Sequence, residues 1–164
     1  MNDHGHRAYA LAPLDSGGSS AALGVRRLDC PMCGHPGGGA SACDACGAPL
    51  TPPPRLEEPS EAFAGRRGSP RVDRVETAVW TPSRRQGGGS PMQVRMQDIS
   101  FTGLSLDALL AVPEGQVARV RAPNIDCVVE VVACRREGAG WRVHARLLTM
   151  RLLTRAGAFV STTV

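Results

Sequence analysis

Four cysteines fall in two pairs, Cys30-Pro31-Met32-Cys33-Gly34 and Cys43-Asp44-Ala45-Cys46-Gly47. Two residues between the members of a pair let both sulfurs turn to the same side of one tight loop. The glycine behind each pair suits that turn and leaves backbone amides free to approach sulfur. Two such loops supply a tetrahedral thiolate cage, the closed geometry that structural zinc takes. Nine residues separate the pairs, room for a minimal hairpin and little else. The competing readings are a redox dithiol or two disulfides, and a redox pair belongs in a strand–helix–strand setting that this segment lacks. His35 could stand in for one ligand, but with four thiols at hand it reads as a loop residue. An all-cysteine set leaves no open position, which argues against a catalytic metal.

A second constellation lies further along. Arg66-Arg67-Gly68-Ser69-Pro70-Arg71 places Arg67 and Arg71 four positions apart on a Gly-Ser-Pro loop, where both can converge on one compact anion. Asp98-Ile99-Ser100-Phe101-Thr102-Gly103 follows between two apolar runs. Strand alternation sets Asp98 and Ser100 on the face opposite Ile99 and Phe101, and Gly103 permits the turn into the next strand. Taken singly, an arginine-rich linker is a solvated face and an Asp-x-Ser is a turn stabiliser. Together, in this order and 98 − 71 = 27 positions apart, they make a candidate ligand site.

The elements that must position these groups follow from the spread of apolar residues. The chain has 164 residues, 42% of them hydrophobic, and the apolar ones concentrate after Val72. Residues 1–27 are polar and small and read as a disordered tail, with His4 and His6 solvated rather than metal-bound. Residues 28–50 hold the cysteines, and residues 51–65 carry Pro52-Pro53-Pro54 and two adjacent glutamates, an extended linker. Residues 66–150 then show six short apolar runs: Val72–Trp80, Met92–Gln97, Leu104–Leu106, Val117–Val120, Cys127–Cys134 and Trp141–Leu148. Gly87-Gly88-Gly89, Pro113-Glu114-Gly115, Ala122-Pro123-Asn124 and Gly138-Ala139-Gly140 punctuate them. Six strands with tight turns imply an all-β fold, an antiparallel sheet closed into a barrel. Residues 151–164 read as a C-terminal helix and tail, with loose helical spacing over Thr149–Val160.

The cysteine segment resembles the zinc-ribbon family through its Cys-Pro-x-Cys-Gly knuckle at 30–34. Residues 66–150 resemble the PilZ domain family, whose Arg-x-x-x-Arg falls on Arg67 and Arg71. Its Asp/Asn-x-Ser-x-x-Gly falls on Asp98, Ser100 and Gly103. The resemblance implies a six-stranded barrel that binds the second messenger cyclic di-GMP. Arginine can pair with guanine O6 and N7 or with phosphate oxygens, and Asp98 can accept from the guanine N1 and N2 hydrogens. The implied protein is a receptor, not an enzyme, with structural zinc and a protein partner whose identity stays open. Because the arginines lie on the linker, nucleotide binding is expected to close that segment and rearrange the zinc module for the partner.

Two other classes compete: a PilZ-like adaptor without ligand, and a zinc-ribbon nucleic-acid binder. Every one of the 19 basic Lys/Arg side chains is arginine, yet the net charge is only +4, which does not argue for nucleic acid. The cysteine segment also carries no aromatics for base stacking. No run reaches the roughly 20 apolar residues that span a bilayer. The expected location is cytoplasmic, with Cys127 and Cys134 as small apolar residues within a strand.

Overall fold

Alternation sorts the side chains after Val72 into two populations, and the computed structural model, which describes residues 29–37, 40–54 and 71–153, closes the apolar one inside a barrel. All six expected runs are strands, each longer than its apolar centre: β1 Val72–Pro82, β2 Met92–Ile99, β3 Gly103–Ala108, β4 Val117–Ala122, β5 Ile125–Glu137 and β6 Gly140–Leu152. Around the barrel the order is β1-β2-β3-β6-β5-β4, closed by β1 against β4. All neighbours are antiparallel.

The interior is filled by every second residue: Trp80 from β1, Leu104 and Leu106 from β3, Ala118 and Val120 from β4, Cys127 and Val129 from β5, Val143 and Ala145 from β6. Cys127 is fully buried as expected, whereas Cys134 is half-buried and its sulfur accepts from the Val112 amide. Register shifts change the phase of the alternation, in β5 at Val132, which is exposed between Val131 and the core-packed Cys134, and at two further places. In β2 the register slips at Gln97, so Met96 and Ile99 both point inward. In β6 the slip beside Leu148 brings both Leu147 and Met150 inside and leaves Leu148 on the outer wall.

The helix expected over Thr149–Val160 is corrected at its start. Thr149–Leu152 continue β6, paired with Val128, Cys127, Asp126 and Ile125 of β5. A full cross-strand ladder overrides a loose helical spacing already weakened by Gly157. Residues beyond Leu153, like the N-terminal tail and the 55–70 segment, lie outside the described residues.

The cysteine module is held by more than a linker. Met32, Ala48, Cys30 and Cys43 pack on Val128, with Val117, Leu148 and Leu50 around them, a second apolar cluster outside the barrel wall. Ser83 donates its hydroxyl to the carbonyls of Pro31 and Met32 at 2.9 and 3.0 Å. Thr149 donates to the Pro49 carbonyl at 2.7 Å.

A buried carboxylate ties the two parts. Asp126 is fully buried and takes Nε and a terminal nitrogen of Arg119, each at 2.7 Å, and Arg151 at 2.7 Å. Arg119 also donates to the carbonyls of Cys46 and Gly47 at 3.2 and 2.9 Å. Burial pushes the Asp126 carboxyl up, but the hydrogen bonds from Arg119 and Arg151 outweigh it and hold the group below the usual carboxylate range.

The depressed value means that Asp126 contributes stability above the unfolded value of about 3.9, lost as pH falls through the lower folded value. Asp126→Ala leaves Arg119 without its counter-charge and is expected to cost about 3 kcal/mol at neutral pH. Urea unfolding followed by tryptophan fluorescence checks this, and the gap between variant and parent should shrink in acid.

Candidate functional site

The site is built on the outer wall of β2, β3 and β6. Pairing sets Asp98 opposite Ser105, and Ser105 opposite His144, so these three form one row across the strands. The next row is Arg95, Asp107 and Arg142. Arg71, just before β1, reaches over the first row, and its guanidinium lies 3.2 Å from Asp98. Two groups 27 positions apart thus meet at one point.

Asp98 is held from below. The Ser105 hydroxyl, completely buried, donates to its carboxylate at 2.5 Å. A charge-assisted bond of this kind fixes the carboxylate's direction. The Arg71 pair is different in kind, because the Arg71 side chain is 37% exposed. Such pairs are worth about 0–1 kcal/mol, so a ligand offering a better partner can open it cheaply. Ser105 donates to Asp98 rather than to His144 and is sealed from solvent; its role is to aim the carboxylate.

Ser100 and Gly103 sit together in the turn from β2 to β3. The Ser100 amide donates to the Gly103 carbonyl at 2.8 Å, and its hydroxyl accepts from the Gly103 amide at 3.2 Å. The Ser100 side chain therefore shapes the turn, and it is Ser105 that stands beside Asp98. Ile99 points into the core as expected, while Phe101 is half-buried outside the core cluster. Gly103 has a steric reason to be glycine: a Cβ there would stand 2.5 Å from the Ala145 carbonyl oxygen. No real Cβ approaches so closely. The absent side chain lets β6 close on β3 and sets the row that ends in His144. Arg67 lies outside the described residues.

Ser105, His144, Asp107 and Arg142 were missed by motif reading. Strand alternation alone could have found them, since each is a polar residue at an outward position. Burial holds His144 below the usual histidine range, and the Arg71 charge adds to this while Asp98 opposes it. Near neutrality it is therefore an uncharged imidazole, with one donor and one acceptor nitrogen. Arg142 is fixed through Nε by Asp107, which also accepts from Gln97 at 2.6 Å. A guanidinium fork, an aimed carboxylate and a neutral imidazole can together read the edge of a planar, anionic ligand.

The cysteine cluster is the second site. The sulfurs of Cys30, Cys33, Cys43 and Cys46 all lie within 4.8 Å of one another, and His35 is not among them. Cys30 and Cys46 are 3.6 Å apart, as are Cys33 and Cys43. A disulfide needs about 2.05 Å, whereas a tetrahedron with metal–sulfur bonds of about 2.3 Å has edges near 3.8 Å. The spacing fits a metal cage. Both knuckles repeat one pattern: Gly34 donates to Cys30, and Gly47 to Cys43, at 2.8 and 2.7 Å. Both glycines take the left-handed conformation, with φ of 77° and 69°. At Cys43, burial works against ionisation, but the amides of Cys46 and Ala45 and the neighbouring thiols hold it below the usual thiol range, whereas burial raises Cys30 and Cys46.

The fold is a closed six-stranded antiparallel barrel with a cation and a carboxylate meeting on its outer wall. Comparison with known families gives it a name: the PilZ domain description matches residues 65–158, more than half of the chain, and the chain belongs to that family. PilZ domains are receptor and adaptor domains of the cyclic di-GMP-binding type, not enzymes, and often interact with proteins. A search of curated proteins finds no match to the chain.

Gly103→Ala is expected to push β6 from β3 and to destabilise the barrel by about 1–3 kcal/mol. The same variant should disturb the amide signals of Ser105 and His144 in a heteronuclear NMR spectrum, while those of the cysteine module stay in place.

Proposed function

We propose that the protein is a cyclic di-GMP receptor whose site joins Arg67 and Arg71 to Asp98, Ser100 and Gly103. The meeting of Arg71 with Asp98 carries the reading, because it unites both halves of the family motif on one outer wall. Arg71 and Arg67 supply guanidinium forks for phosphate oxygens or for guanine O6 and N7. Asp98, aimed by Ser105, accepts from the guanine N1 and N2 hydrogens. His144 borders the same wall as a neutral donor and acceptor. The ion pair between Arg71 and Asp98 opens when the nucleotide enters and is replaced by bonds from each partner to the ligand.

The four cysteines are proposed to hold structural zinc. The sulfur spacing and the absence of any shorter sulfur contact among the described cysteines support this. With all four positions taken by thiolates, the metal contributes folding energy rather than chemistry. Six cysteines without a disulfide suit the reducing cytoplasm, the location this reading carries with it.

The adaptor half of the proposal takes its form from the seating of the module. Met32, Ala48 and Val128 already pack together, and Arg119 spans module and barrel. Nucleotide capture therefore acts on the segment that carries Arg67, between a seated module and β1. What changes for a partner protein is how the zinc module is presented once Arg67 and Arg71 hold the nucleotide.

Isothermal titration with cyclic di-GMP on zinc-loaded protein tests the site. Binding should be measurable for the parent, lost for Arg67→Ala and Arg71→Ala, strongly weakened for Asp98→Ala, and unchanged for Arg85→Ala. Undiminished affinity in Arg71→Ala would falsify the assignment. Metal analysis of the purified chain should return one zinc per molecule, and Cys43→Ser should lose it together with a large part of the thermal stability. Retention of full zinc by that variant would exclude the cage.

A further inference from the structure

The seam between the cysteine module and the barrel encloses a cleft of about 700 Å³. Its accessible apolar lining is Ala45 on the module side and Pro82 and Pro91 on the barrel side, with the buried Met32 and Ala48 behind and the knuckle residues Cys33 and Cys46 beside them. Arg84, Arg119 and Arg121 line it as well, and no aspartate or glutamate does. None of these residues belongs to the nucleotide site.

The three arginines are not equivalent. Arg119 is committed to Asp126 and to the second knuckle's carbonyls. Arg85, outside the cleft, lies along the first knuckle, its Nε 3.5 Å from where a side chain on Gly34 would begin. The thiolate cage and the buried carboxylate thus have cations of their own. Arg84 and Arg121 are exposed, and among the described residues neither guanidinium has an acidic partner. Two unspent cations stand at the rim of an apolar floor.

Each half of this lining excludes a simple ligand. A bare phosphate would satisfy the arginines and leave Ala45 and the two prolines facing water. A purely apolar segment would cover the floor and strand both charges. Strand addition is closed off too, since β1 is paired on both sides at this end, with β2 and with β4. Recognition must come from side chains. We propose that the cleft takes a short acidic segment of a partner protein. One apolar side chain rests on the floor, and flanking carboxylates pair with Arg84 and Arg121, where guanidinium can bind bidentately. The assignment goes beyond the nucleotide reading and stands or falls separately from it.

The test uses the zinc-loaded full chain and a panel of fluorescein-labelled hexapeptides, each with a central Leu, Ile, Phe or Met flanked by aspartates and glutamates. Lysine-for-acid counterparts and tripolyphosphate serve as controls. Fluorescence polarisation should show acidic members binding and their counterparts not. The double variant Arg84→Ser with Arg121→Ser should weaken binding at least tenfold, with zinc content and cyclic di-GMP titration unchanged. Ala45→Glu, which sets a like charge on the floor, should block the same peptides, and excess cyclic di-GMP should not displace them. The proposal is overturned if acidic peptides bind no better than lysine ones, or if the double variant binds them unchanged. It is also overturned if tripolyphosphate binds through the two arginines while no peptide does, which would make this a phosphate site.

Discussion

A carboxylate sealed from water organises one whole side of this molecule. Asp126 has no solvent access, and its charge survives only because Arg119 and Arg151 stand against it. That requirement has consequences in every direction. Arg151 must lie in β6 beside it, which carries the strand on through Leu152 and removes the helix expected there. Arg119, turned toward Asp126, keeps nitrogens free for the carbonyls of Cys46 and Gly47. The second knuckle is therefore seated by the same group that neutralises the barrel's buried charge. Removing any one partner leaves the others uncompensated, which makes barrel and module one cooperative body.

The two sites share a strand. Outward positions on β6 alternate from His144, on the ligand wall, through Arg146, paired with Glu130, to Leu148 under the cysteine module. Four residues of strand span roughly 13 Å. The candidate-site wall and the module wall are adjacent panels of one barrel, meeting along β6. Gly103 matters here beyond its place in a motif, because the close approach it allows sets the lateral position of that common strand.

Much of this was legible in the residues themselves. Period-two alternation marks all six strands, and the two motif halves that hold Arg71 and Asp98 are legible from residue type and spacing. What alternation cannot give is a change of phase. The slips at Gln97 and beside Leu148 follow from how neighbouring strands register, and no local pattern announces them. Val128 reads as one more apolar strand residue, yet it faces outward and receives the module. Ser100 reads as a ligand group, and its hydroxyl also braces its own turn, while Ser105, which aims Asp98, lies outside the motif. Arg119 and Arg121 look alike in sequence; only the position of a buried acid distinguishes the committed cation from the free one.

The module's place ahead of the barrel in the sequence has a consequence for how the protein is made. The two knuckles meet through sulfur contacts only ten and sixteen positions apart, so they can come together as soon as the second pair leaves the ribosome. Their seat comes much later: the contact between Pro49 and Thr149 spans 100 positions. During synthesis the finished module waits, its Met32 and Ala48 bare, for a wall not yet translated. Long-range closure of this sort slows folding and lengthens the exposure of apolar surface. The emergence of β6 completes the wall that carries His144 and covers the waiting module in the same event, so a chain that lacks β6 would lack both at once.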